Sequence, residues 1–240
     1  MAVHETRLAR RETVAEGTMT FYFAKPPGFR HQAGQSLTMT LINPPETDSE
    51  GSGRTFTIAS APHEAELMIA TRMRDTAFKR VLKTAPIGTT VKIDGPNGEM
   101  VLHRNPARPA TFLAGGIGIT PFHSMALHAA KERLPHRLYL FYSNRRPEDA
   151  AFLEELQKIE QTNSNYRLIA TMTEPDKSSR AWSGETGFIR GDMLKRHLPD
   201  LSSPIYYFAG PPAMTTAMRK MLEDLGVVED AMRYEEFYGY

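Results

Sequence analysis

Three short runs in this chain have residue types and spacings suited to holding a nucleotide. The first is FLAGGIGITPF, Phe112 to Phe122: an apolar stretch, glycine at 115, 116 and 118, then Thr120 and Pro121 where a helix would begin. Gly115, Gly116 and Gly118 remove Cβ atoms where a phosphate or ribose must approach the backbone, and the helix start adds unpaired N–H groups and a positive dipole end. Pro121 suits a first helical turn, since its missing N–H costs nothing there. The run departs from G-x-G-x-x-G where Pro121 replaces the third glycine, so alone it reads equally well as a tight structural turn. The second run, FAGPPAM from Phe208 to Met214, repeats the grammar of strand, Gly210, Pro211 and a helix whose first turn holds Met214. Two such turns at strand carboxyl ends converge on one crevice in an open α/β sheet, where ligands of that architecture bind. The third run, YSNRRPEDAAFLEEL, sets Ser143, Arg145 and Arg146 where the adenosine half of a dinucleotide would lie. Arginine forks suit a 2′-phosphate, and no acidic residue directly follows the strand to grip a 2′-hydroxyl, which leans toward NADPH. An exposed arginine pair balanced by Glu148 and Asp149 is the competing reading, so NADPH and NADH both stay open.

The elements that must position these residues fall into two halves. From Ala2 to about His103 the chain shows short runs with period-two alternation, MTFYFAK, SLTMTLI, RTFTIAS and ELMIATR, split by turn-rich segments such as NPPETDSEGSG. DTAFKRVLKTA, Asp75 to Ala85, breaks that pattern with Ala77, Val81 and Leu82 at helical spacing. After HRNPARP, apolar strands alternate with amphipathic helices: ATFLAGG, RLYLFYS, YRLIATM and PIYYFAG each lead toward a helical segment. Alternation of this kind predicts parallel strands with crossover helices. The expected fold class is therefore two-domain, an antiparallel β-barrel over residues 1–104 and a doubly wound α/β domain over residues 105–240. On the last helix Met214, Met218, Met221, Leu222 and Leu225 form one stripe, which reads as core packing.

Composition narrows the function by exclusion. Lys plus Arg number 29 against 28 Asp plus Glu, so no global charge excess argues for nucleic acid. The chain has no cysteine, which removes disulfides, thiolate iron–sulfur ligation and a cysteine nucleophile. No run approaches the roughly 20 apolar residues of a membrane span, and MAVHETRLARRETVAEG lacks the apolar core of a secretion signal, so a cytoplasmic protein is expected. His123 and His128 stand five apart on an expected helix, on different faces, which argues against their pairing on a metal, and no metal site is expected.

RTFTIAS, Arg54 to Ser60, resembles the R-x-[YF]-[ST] flavin signature of the ferredoxin–NADP reductase superfamily. Its chemistry is legible in itself, since Arg54 can pair with a pyrophosphate and alternate strand residues put Arg54 and Phe56 on one face with Thr57 on the other. The resemblance extends along the chain in order. IATRMRDTAFKRVL is similar to the family's second flavin segment, IDGPNGEM to its closing barrel turn, GGIGITP and AGPPAM to its two nicotinamide turns, and RYEEFYGY to its final E-x-F strand. It implies a stand-alone reductase without an iron–sulfur domain, which takes a hydride from NADPH or NADH onto FAD, with FMN the lesser alternative. Thr57, Glu235 and Phe237 would act at the redox centre, and Arg54, Phe56, Ile69, Thr71, Thr76 and Tyr240 would hold the flavin. The implied acceptor is a separate ferredoxin, flavodoxin or oxygenase component. Direct reduction of free flavin, quinone or ferric chelates, or a non-catalytic flavin-binding electron-transfer subunit, are the alternatives. Ala209 stands where the family often has cysteine, and Phe56 replaces the commoner tyrosine.

Overall fold

Strand side chains point alternately to opposite faces, so a half-apolar strand finds stability only where one face is covered. In the computed structural model, which describes residues 3–237, the first half meets that demand with β1 (Val3–Ala15), β2 (Thr18–Ala24), β3 (Ser36–Leu41), β4 (Gly53–Thr57), β5 (Glu66–Arg72) and β6 (Thr90–Asn97). They pair antiparallel in the order β4-β3-β6-β1-β2-β5, and β4 returns against β5 to give a barrel-like wrap. Phe21, Phe23, Leu37, Met39, Ile69 and Ile93 fill its interior. The helix α1 (Ala77–Thr84) drives Phe78 and Leu82 into that core, and the Thr76 hydroxyl caps it by accepting from the Lys79 N–H.

The second half supplies β7 (Ala110–Gly115), α2 (Thr120–Glu132), β8 (Leu138–Asn144), α3 (Leu153–Thr162), β9 (Tyr166–Met172), β10 (Glu185–Thr186), α4 (Gly191–His197), β11 (Ile205–Gly210), α5 (Pro212–Asp224) and β12 (Met232–Glu236). All pairs in this sheet are parallel, in the order β10-β9-β8-β7-β11-β12. Every residue of β7 and β11 is buried, as strands covered on both faces require. The chain leaves β7 toward β8 and later returns to its other side as β11, so the crevice at the reversal opens beyond the carboxyl ends of β7 and β11. Met218 and Leu222 of α5 are buried in the core beneath, with Met214, Met221 and Leu225 packed against it.

The segment 98–109 between the sheets is fastened rather than loose. Met100 and Leu102 pack on the second core, and the Tyr207 hydroxyl accepts from the His103 backbone N–H at 2.8 Å. Local conformation sets where two of these helices begin. α3 begins only at Leu153 because Phe152 takes a left-handed φ of 61°, and α2 is preceded by one tight 3₁₀ turn at Gly116–Ile119. Among the described residues no helix is long and apolar enough to cross a membrane.

Candidate functional site

At the sheet crevice the register lines up the nucleotide-like turns. Gly115 at the end of β7 lies opposite Ser143 on β8, and Ala114 opposite Ala209 on β11. The two turns touch at Gly118, where an added Cβ would stand 2.1 Å from the Ala209 carbonyl oxygen and 2.9 Å from Gly210 Cα. Only glycine lets the backbones come so close. Gly116 has φ +54°, and the space its missing side chain would take is open. Gly115 and Gly210 instead face Met214, whose Sδ fills the groove between them. Thr120 opens α2 with its hydroxyl donating to the Ile117 carbonyl at 3.2 Å, Pro121 follows it, and Pro211 occupies the cap position of α5. The Phe237 N–H donates to the Gly210 carbonyl at 2.9 Å, which ties the end of β12 to the same turn.

Arg145 and Arg146 converge on buried Asp149: Arg145 Nη2 at 3.1 Å and Arg146 Nε at 3.0 Å. Burial pushes the Asp149 carboxyl up, but the two arginines outweigh it and hold the group below its ordinary range. Arg146 also reaches across to Glu16 of the first half. The balancing acid expected in Glu148 is therefore corrected, because its carboxylate is engaged by the hydroxyls of Ser178 and Ser179, and Glu16 takes its place. Arg145 remains half exposed.

In the barrel half, Arg54 stacks over Phe78 with its guanidinium carbon 5.4 Å from the ring centroid, and the Phe56 ring lies 5.7 Å from the same ring. One guanidinium nitrogen donates to Asp48 at 2.9 Å, and the other oxygen of Asp48 accepts the Ala77 N–H at 3.1 Å. A carboxylate thus bridges an arginine and the first turn of α1, the arrangement in which a phosphate group is held. Asp48 thus holds the place of an anion between Arg54 and the α1 start, and these residues fit a flavin pyrophosphate. Sequence reasoning missed Asp48; the available signal was an acid six positions before the signature arginine in a turn-rich segment. Thr71 is buried with its hydroxyl turned to the Arg72 carbonyl, and Ile69 points into the barrel core, so any approach of Ile69 to a ligand is through its backbone. The 3₁₀ turn after β7 lies against β5, which carries both.

The halves meet along α2. His123 Nδ1 lies 2.8 Å from the Ala59 carbonyl and its Nε2 2.7 Å from Glu155, while the Ser124 hydroxyl donates to the Ser60 carbonyl at 2.7 Å. Ala59 and Ser60 follow Thr57, which is buried at the end of β4 opposite Ser36. An added Cβ at Gly98 would sit 3.6 Å from both Ser36 Oγ and Glu235 Oε1, so β12 comes up to the barrel beside Ser36, the strand partner of Thr57. A cleft of about 730 Å³ opens beside Gly98 and Glu235, lined also by Gln32, Gln35, Met100 and Arg233. Burial pushes the Glu235 carboxyl above its ordinary range. The structure brings Thr57, Glu235 and the glycine turns to one interdomain seam, with Arg54 and Thr76 farther along the barrel; Tyr240 lies outside the described residues.

The family model of the oxidoreductase NAD-binding domain matches residues 112–220. Similar curated proteins include NADH-cytochrome b5 reductase 1 of Neosartorya fischeri, 32% identical over 183 residues, or 72% of this chain and 58% of that protein. The reductase component of propane 2-monooxygenase from Rhodococcus jostii is 24% identical over 97% of this chain and 63% of its own length. The chain spans less than two thirds of the length of these relatives. Among solved structures, the FAD/NAD-binding domain of nitric oxide dioxygenase from Vibrio cholerae superposes with a TM-score of 0.84 at 18% identity, covering 97% of this chain and 98% of that one. A ferredoxin NADP+ reductase from Neisseria gonorrhoeae gives 0.81 at 19% identity over 98% of both chains. The second half of the chain thus carries an oxidoreductase NAD-binding domain, and its barrel and doubly wound sheet, joined in that order, share the fold of these FAD- and NAD-binding structures.

Proposed function

We propose that this chain is an NAD(P)H-dependent flavoprotein reductase that passes electrons to an acceptor carried by another protein. The observation that carries the reading is the pair of anion-ready cradles, one on each half: Arg54 with the α1 start on the barrel, and the Gly116–Gly118/Gly210 turns at the crevice of the sheet. FAD, when bound, would supply the two-electron redox chemistry that links a reduced nicotinamide to the acceptor. Arg54, the Ala77 N–H and Thr76 would hold a pyrophosphate where the Asp48 carboxylate now lies, which favours FAD over FMN. Phe56 offers an aromatic face to the cofactor, and Thr57 offers a hydroxyl in a nearly dry setting. The α2 start and the Gly210 turn fix the dinucleotide, with Ser143 and Arg145 on its adenosine side. Glu235, kept more readily protonated by burial, and Phe237 close the seam from β12.

The separate acceptor is supported by relatives whose names state such a role, a monooxygenase reductase component and cytochrome b5 reductases. Absence of cysteine leaves this chain without thiolate ligands for an iron–sulfur relay of its own. An anaerobic titration of the flavin-loaded protein with NADH and with NADPH tests the reading. Stoichiometric bleaching of the flavin by either one is expected, and a spectrum unmoved by both refutes it. Acceptor trials then separate a protein acceptor, which saturates at low concentration with salt-sensitive rates, from small quinones or ferric chelates.

A further inference from the structure

α2 does more than start beside the nucleotide turn. Its first half fastens to the barrel through His123 and Ser124, and its last turns carry His128 and Glu132 four residues apart, hence on one face. Opposite them lies His63, in the connection from β4 to β5. The three side chains each offer one ligand atom, and these atoms lie within 4.8 Å of one another. His128 Nδ1 is buried and makes no hydrogen bond among the described residues. No cation pairs with Glu132 by a salt bridge among the described residues either. Two imidazole nitrogens and a carboxylate oxygen converge from two domains, with no hydrogen bond or ion pair to other side chains among the described residues, and form a donor set of borderline softness.

We propose that His63, His128 and Glu132 bind a divalent transition-metal ion, with zinc the best match, and that the ion staples the β4–β5 connection to α2 across the domain seam. Tetrahedral zinc with bonds near 2.0–2.1 Å needs donors about 3.3 Å apart, so the three must draw together slightly. His63 and Glu132 are exposed, so their share of that closure needs only side-chain rotation. Three protein ligands leave one position for water, and two imidazoles select zinc, nickel or copper over magnesium, which prefers oxygen in an octahedron. Sequence spacing pointed away from this site because it compared His128 with His123. His123 is held between Ala59 and Glu155, whereas the partner of His128 comes from the other domain.

The test uses the full chain, treated with chelator and then freed of it. Zinc chloride is titrated calorimetrically, magnesium chloride serves as the contrast, and thermal midpoints are read with and without zinc. One zinc per chain is expected, with a raised thermal midpoint, because an ion bound only to the docked domains stabilises them by mass action. H63A and H128A should each weaken zinc at least about tenfold and abolish the thermal shift, with E132Q weakening it less. His63 and Glu132 are exposed, so H63A and E132Q keep the test valid if H128A fails to fold. Unchanged stoichiometry and affinity in H63A overturns the proposal, as does equal uptake of magnesium and zinc, or no saturable zinc binding by the native chain. None of these readouts depends on flavin or nicotinamide.

Discussion

Gly118→Ala is the sharpest perturbation of the nucleotide crevice. Its new methyl would stand 2.1 Å from the Ala209 oxygen, 2.5 Å from the Ala209 carbonyl carbon and 2.9 Å from Gly210 Cα. All three are backbone atoms of a fully buried strand end, so no flexible group can yield. An ordinary carbon–oxygen contact lies near 3.2 Å or beyond, and β7 and β11 must therefore part by about an ångström at their carboxyl ends. Overpacking a rigid site costs about 1–3 kcal/mol. In a chain of this size each kcal/mol lowers the thermal midpoint by roughly 2–4 °C, so a drop of about 2–12 °C is expected. Because the displaced atoms are the turns that would cradle the dinucleotide, a misplacement of about 1 Å should also cut the rate of flavin reduction by roughly a hundredfold. Gly210→Ala is the internal control. Its methyl meets the Met214 Sδ at 2.9 Å, the movable part of a flexible side chain, and should cost far less. Gly116→Ala meets no atom but must hold φ +54°, a strain of about 1 kcal/mol. Thermal unfolding and stopped-flow reduction measure the series. If G118A melts with the native chain and reduces at the native rate, the close approach of the two turns is not what positions the nucleotide.

Three further outcomes follow from the same geometry. Arg146 is committed to Asp149 and Glu16 while Arg145 is half exposed, so R145A should raise the KM for NADPH several-fold and leave NADH nearly unchanged, whereas R146A should lower the thermal midpoint; equal KM effects of R145A on both donors would contradict this. Burial raises the Glu235 carboxyl, so the folded chain holds a proton that the unfolded chain releases first, and stability falls as pH rises from the ordinary glutamate range through the raised value. E235Q should therefore unfold at higher denaturant than the native chain at neutral pH, with the gap closing in acid, and a pH-independent gap would count against it. Thr57→Ala should slow flavin reduction more than it weakens flavin binding, measured by stopped flow and by fluorescence titration of the flavin-free chain.

Much of the fold was legible because its strands carry their burial in their spelling. ELMIATR became β5 residue for residue, and the IYYFAG of PIYYFAG became a strand buried throughout. β1 was not legible as one 13-residue strand, since VHETRLARRETVA buries only Thr6 and Leu8 completely and its length comes from pairing with both β2 and β6. The start of α3 at Leu153 was not legible either, because nothing local announces the left-handed Phe152. At the site, glycines and the signature arginine are local features and were readable. Asp48, the Glu16 partner of Arg146 and the meeting of His63 with His128 are consequences of folding, since each joins segments whose separation along the chain hides the contact.

The seam on α2 carries a mechanical consequence. Its two hydrogen bonds land on Ala59 and Ser60, two and three residues past Thr57, while the helix that makes them begins at the nucleotide turn. The spacing between donor and acceptor sites is thus gauged by a bracket only a few residues long, not by the connection through residues 98–109. Lengthening that connection should leave electron delivery intact, whereas trimming the bracket would let the two halves lose their alignment.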